Sequence, residues 1–84
     1  MIIFQSEGVW LARRGVDEHV QAAGFAPLPD LNNMYRENGG RFLACVPCLK
    51  TRNLGADDLL DGTELIAAGV VVKEFLEATN VAVY

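Results

Sequence analysis

The residues best suited to chemistry are Cys45 and Cys48, the only two cysteines of the chain, three positions apart in Cys45-Val46-Pro47-Cys48. Sulfur chemistry runs through the thiolate, so a working cysteine needs a pKa below its free value of about 8.5. The apolar run Phe42-Leu43-Ala44 leads into the pair, and Leu49-Lys50-Thr51-Arg52 follows it. That order reads as a strand ending at Cys45 and a helix opening at Pro47, where a missing N–H costs nothing. In a parallel α/β sheet, ligands and reactive groups collect at the carboxyl ends of strands. Helix amides just beyond Cys45, with Lys50 and Arg52 a turn or two further on, would stabilise an anion there. Cys48 falls on the same helical face. Cys45 is therefore the expected reactive thiol and Cys48 its resolving or structural partner.

Three chemistries fit such a pair. Cys45 would carry a sulfane sulfur as a persulfide, or the two thiols would cycle through a disulfide, one attacking and the other resolving. Half a metal site is the third, and it is weak, because a second cysteine pair or ligands from another subunit would be needed. No metal and no cofactor is expected. The bland alternative is that both sulfurs are small buried hydrophobes. His19, the single histidine, has no ligand partner in sequence and reads as an ordinary histidine. Trp10, between Val9 and Leu11, reads as core or interface rather than a stacking platform. Asp57, Asp58 and Asp61 lack the alternating oxygen-ligand spacing of a calcium loop and read as a solvated face with a cap. Gly39-Gly40 is a turn rather than a phosphate loop, since no helix follows directly.

The whole chain bounds what can position these thiols. Eighty-four residues make one domain, residues 1–84, whose core alone stabilises it only marginally. A hydrophobic content of 51% is high for so short a chain, which predicts that apolar surface meets another subunit in a homo-oligomer. The net charge of −4 argues against nucleic acid as a partner. Charge is nevertheless segregated. Arg36, Arg41, Lys50 and Arg52 face only Glu37 around the cysteines, whereas the stretch from Asn53 onward is strongly acidic. Met1-Ile2-Ile3-Phe4 runs straight into Gln5-Ser6-Glu7, which fits no signal peptide, and no apolar run approaches a membrane span. The expected setting is the cytoplasm, with reduced thiols and no membrane association.

Ile2-Ile3-Phe4 reads as a short buried strand, and Val9 to Arg14 as a short helix ended by Gly15. Asp17 to Ala23 has room for a helical turn. Pro27, Pro29 and Asp30 turn the chain into a helix over 31–37, with Asp30 as N-cap and Asn38-Gly39-Gly40 as the stop. Arg41 to Cys45 is the second strand. Asp57 to Leu60 is another helical turn, and Asp61-Gly62-Thr63-Glu64 resembles a capping box. It would open a long helix over 64–78 with Leu65, Ala68, Gly69, Val72, Phe75 and Leu76 on its apolar face, Gly69 allowing close packing on the sheet. Val81 to Tyr84 would then be a final strand. Strands separated by helices predict a small parallel sheet covered by helices.

Several segments together carry a resemblance. Gly8-Val9-Trp10-Leu11-Ala12-Arg13-Arg14-Gly15, Phe42 through Arg52, Asp57 through Glu64 and the terminal Val81-Ala82-Val83-Tyr84 are similar, in order, to DsrE/DsrF-like proteins. That group includes the TusD-type sulfurtransferase subunits. The resemblance implies an α/β fold of three layers, α/β/α, with a small, mostly parallel sheet, and assembly into oligomers. It implies a sulfur-relay role in which Cys45 matches the persulfide-carrying cysteine at the strand end, with sulfur-donating and sulfur-accepting proteins as partners. Cys48 matches a second cysteine that many members have, with no general role attached. Whether the chain is itself an enzyme stays open, a sulfurtransferase subunit being the class implied. Two positions depart from the pattern. Family members usually open with an additional strand–loop–helix unit, so the chain is expected to be truncated at its N-terminus, leaving Ile2-Ile3-Phe4 as an open hydrophobic edge. Asn53 stands where the family usually has glycine after Arg52, a small change because Asn tolerates left-handed backbone. Two further readings remain beside sulfur transfer: a thiol–disulfide module, since Pro47 precedes the second cysteine, and a non-enzymatic binding or assembly protein of the same fold.

Overall fold

The computed structural model describes residues 1–82. Three short strands, β1 (Ile2–Phe4), β2 (Phe42–Cys45) and β3 (Glu64–Ile66), form one sheet in the order β1-β2-β3. Both pairings are parallel, with Ile2 opposite Phe42 and Phe4 opposite Ala44 on one side, and Leu43 opposite Glu64 and Cys45 opposite Ile66 on the other. β2 is thus the central strand. Phe42, Leu43 and Ala44 are all buried, the continuous apolar run of a strand covered on both faces.

The connections are helical. A 3₁₀ helix over Ser6–Ala12 and another over Asp17–His19 precede α1 (Leu28–Glu37); α2 (Val46–Thr51) follows β2 directly. A third 3₁₀ turn, Ala56–Asp58, leads toward β3, and α3 (Ala68–Glu77) follows it. Successive side chains of a strand point to opposite faces. On the Phe42 and Ala44 face, Ala44 joins Val9, Ala12, Leu49 and Leu59 in the core. Phe42 there meets Tyr35 of α1 at 5.3 Å between ring centroids and Phe4 at 5.6 Å, with the Arg36 guanidinium over its ring. On the other face, Arg41 reaches Glu74 of α3 at 3.6 Å. Helices therefore lie on both sides of a parallel sheet, as expected.

An antiparallel bridge between Arg13 and Leu59 ties the first 3₁₀ helix to the segment before β3. Leu60 N–H donates to Ala12 C=O at 2.8 Å and Arg14 N–H to Asp58 C=O at 2.6 Å around it. The buried carboxylate of Asp17 accepts from Asn32 Nδ2 at 3.2 Å and holds the second 3₁₀ helix to α1.

The observed elements correct several expectations. Residues 64–66 are strand, not the start of a long helix. Asp61 is no cap; its carboxylate pairs with Arg14 at 2.9 Å, and Gly62 takes φ +78° in a turn. Ile66 is buried beside Cys45, so a short apolar pair found its place in the sheet and delayed the helix to Ala68. Gly69 accordingly sits in the first turn of α3 with open space around it and permits no close packing. No residue of α3 is buried, and its apolar face is open: Val72 is 58% and Leu76 82% exposed. Residues 81 and 82 are not in a strand, while Val83 and Tyr84 of the expected final strand lie outside the described residues. β1 is half-exposed rather than buried, the edge position foreseen for it. α1 begins before Asp30, which lies in its first turn, where a carboxylate favours the N-terminal dipole. Trp10 lies at the surface, which excludes the core half of the core-or-interface expectation. Asn53 does take the left-handed backbone, with φ +55°.

Candidate functional site

Cys45 is the last residue of β2 and the residue immediately before α2, with extended backbone at φ −70° and ψ 118°. It sits at the carboxyl end of the central strand, between β1 and β3. Pro47 falls in the first turn of α2, where its lack of an N–H is tolerated. One turn on, Cys48 packs against the Val9–Ala12–Ala44–Leu49–Leu59 cluster. Both cysteines are free and half-buried, and they lie close together. Among the described residues, no third His, Cys, Asp or Glu joins them in a group fit to hold a metal ion.

The two thiols have different surroundings. Burial pushes the Cys45 thiol above its ordinary value, and the hydrogen bond with Cys48 adds to this. Cys48 lies below its ordinary value, first through the hydrogen bond from Cys45, then through the backbone amide of Ser6, with the Arg52 charge also favouring the anion. Burial at the foot of α2 is the largest influence on Cys45. Cys48 lies one turn in, where other groups converge.

Those groups come from distant parts of the chain. Arg52, just past the end of α2, donates from Nη1 to the Cys48 carbonyl at 3.1 Å. Its Nη2 and Nε both reach Glu7 Oε1, at 2.6 and 3.2 Å. The guanidinium is therefore held on two sides, and its side chain is only 19% exposed. Glu7 and Ser6 begin the 3₁₀ helix that follows β1, and Ser6 has a left-handed φ of +51°, uncommon for a residue with a side chain. Lys50, the other basic residue singled out, stands exposed on the last turn of α2; Arg52 is the cation that bears on Cys48. Within the wider basic island, Arg41 pairs with Glu64 and Glu74.

Ser6 and Glu7 are the residues that sequence reasoning missed. The available signal was topological: a parallel β1 beside β2 brings the residues just after Phe4 to the same sheet end as Cys45.

A parallel α/β sheet with two free thiols at the carboxyl end of its central strand defines a thiol-bearing α/β protein. Comparison with protein families makes this more particular: the model of the DsrE/DsrF-like family matches residues 1–83, and the chain belongs to that family. A search of curated proteins gives no match. Membership brings a sulfur-relay role as the family-level function. No helix among the described residues is long and apolar enough to cross a membrane.

Proposed function

We propose that this chain is a sulfur-transfer protein that carries a sulfane sulfur as a persulfide on the Cys45–Cys48 pair, with Cys45 as the carrier. The observation behind this is the meeting of two free thiols at the carboxyl end of β2, in a chain of the DsrE/DsrF-like family. A persulfide forms when a thiolate attacks the outer sulfur of a donor persulfide and the donor leaves as a thiolate, with no net oxidation. The proposed setting is a reducing cytoplasm, in a single domain that assembles with further copies of itself and exchanges sulfur with donor and acceptor proteins.

The closeness of the two free cysteines also favours a second reading, a thiol–disulfide module in which the pair closes on itself. Neither cysteine is fully buried and Arg52 reaches the Cys48 carbonyl, which speaks against two inert core cysteines. Mass spectrometry of the reduced protein after exposure to a small persulfide donor tests the proposal. A mass gain of one sulfur atom is the expected result. Loss of two hydrogens, marking an intramolecular disulfide, selects the redox module, and an unchanged mass rejects both.

A further inference from the structure

β1 is an edge of the sheet, and its residues do nothing to blunt that edge. Ile2 N–H donates to Arg41 C=O at 2.9 Å, so the backbone of Ile2 faces β2. Backbone groups alternate sides along a strand, which turns the N–H and C=O of Ile3 to the open edge. Gln5 prolongs the extended backbone at φ −143° and ψ 162°, and Ser6 ends it with φ +51°. Ile2-Ile3-Phe4 carries neither the charge nor the proline that commonly protects an exposed edge. Beside it runs the groove of about 670 Å³ that Phe75 and Val81 help to line. Among the described residues, the charged groups lining that groove are Glu7 and Glu74, held by Arg52 at 2.6 Å and Arg41 at 3.6 Å of the same chain. Nothing there selects a basic partner, and nothing repels an identical surface. The chain also exposes 5848 Å², about 900 Å² more than a monomer of 9.2 kDa should. A stable interface covers about 800 Å² on each partner.

We infer that β1 pairs with β1 of a second copy, antiparallel and centred on Ile3, in a two-fold dimer whose single sheet joins the three strands of each chain. The inference rests on the homo-oligomer reading above and is independent of the sulfur chemistry. The backbone sets the register. Residues that turn both N–H and C=O to the edge exchange two hydrogen bonds when they lie opposite each other in an antiparallel pair. Ile3 therefore lies opposite the partner's Ile3, and the half-exposed Ile2 opposite the partner's Phe4. An isologous contact must be self-complementary, which an uncharged apolar edge is. Its two-fold axis stands normal to the sheet, so both α3 helices lie on one side of it. Phe75 lines the groove at this edge, and Val72 and Leu76 extend its apolar stripe at helical spacing. The dimer brings the two stripes together and covers them. It also sends the carboxyl ends of the two β2 strands to opposite ends of the joined sheet, so each Cys45–Cys48 pair stays clear of the interface.

Sedimentation of the full chain at micromolar concentration gives the mass, and hydrogen exchange read amide by amide gives the register. The expected mass is twice the 9.2 kDa of one chain. Leu76→Glu, at a position 82% exposed and so free of the core, should reduce it to a single chain. In that variant the Ile3 amide should exchange about tenfold faster or more than in the parent. The Leu60 amide, bonded to Ala12 within the chain, should keep its rate and shows that the fold is intact. Dilution of the parent until it dissociates supplies the same comparison should Leu76→Glu not fold. A monomeric parent overturns the inference together with the homo-oligomer reading and leaves the edge to a different chain. A dimer whose Ile3 amide exchanges no more slowly than in the monomer overturns the β1 pairing alone, and the homo-oligomer then uses another surface. A mass of three chains or more overturns the closed two-fold arrangement.

Discussion

At the level of single residues, the charged groups around the sheet do more to align elements than to bind. Arg41 donates to both oxygens of Glu64, at 2.9 and 3.2 Å, and so joins the residue before β2 to the first residue of β3. The guanidinium holds the Glu64 carboxyl below its usual range. A carboxyl whose folded pKa is depressed contributes stability at neutral pH and loses it as pH falls through the folded value. Glu64→Gln should therefore unfold at lower urea than the parent at pH 7. The two urea midpoints should converge as pH falls below about 4, or at about 1 M salt. A gap that persists under acid would point to packing rather than charge. Cysteine acidity was the part of the site least legible in the sequence. The motif located both thiols and the strand end, but burial acts on Cys45, and the groups acting on Cys48 include Cys45 itself, Ser6 and Arg52. Spacing along the chain does not report desolvation or a contact across 45 positions.

Among the elements, those with a strong local signature were legible. β2 announces itself by Phe42-Leu43-Ala44, and the end of α1 by Asn38-Gly39-Gly40, where Gly39 takes φ +85° and the amides of Gly39 and Gly40 donate back to Arg36 and Tyr35. β3 was not legible, because Glu64-Leu65-Ile66 is three residues long and lies between a plausible cap and a helix-compatible run. What makes it strand is a partner: Leu43 through Cys45 offer a free edge on one side. Gly40 gives the element scale its sharpest prediction. A methyl group built there would sit 2.5 Å from the Tyr35 ring, which is packed on Phe42 at 5.3 Å and hydrogen-bonded to the Arg41 carbonyl. The ring cannot withdraw without leaving Phe42, so Gly40→Ala should cost about 1–3 kcal/mol in chemical denaturation. An unchanged midpoint would mean that α1 is free to shift away from the sheet.

On the scale of the whole molecule, the apolar surface is uneven. Val72 and Leu76 of α3 are open, and a groove of about 670 Å³ between β1 and the end of α3 is lined by Ile2, Phe4, Leu11, Phe75 and Val81. Contiguous apolar surface of this kind is usually covered by another chain. The protein should therefore sediment as more than a monomer at micromolar concentration, and Val72→Glu with Leu76→Glu should lower its mass. A monomeric parent chain would remove the homo-oligomer from the proposal. The Arg13–Leu59 bridge has a different consequence. The segment between those residues holds α1, β2 and α2, yet β1 joins it through the sheet and the first 3₁₀ helix through the bridge, both without covalent help. Residues 20–27 pass between these anchorages on the surface, with Phe25 67% exposed. Exposed stretches of this sort are where a protease cuts first. A break there would sever the backbone between Ser6 and Cys48 and still leave two fragments held by the sheet and the bridge. The thiol site is in that sense a meeting of two separable pieces, and continuity of the chain between them is not what keeps it assembled.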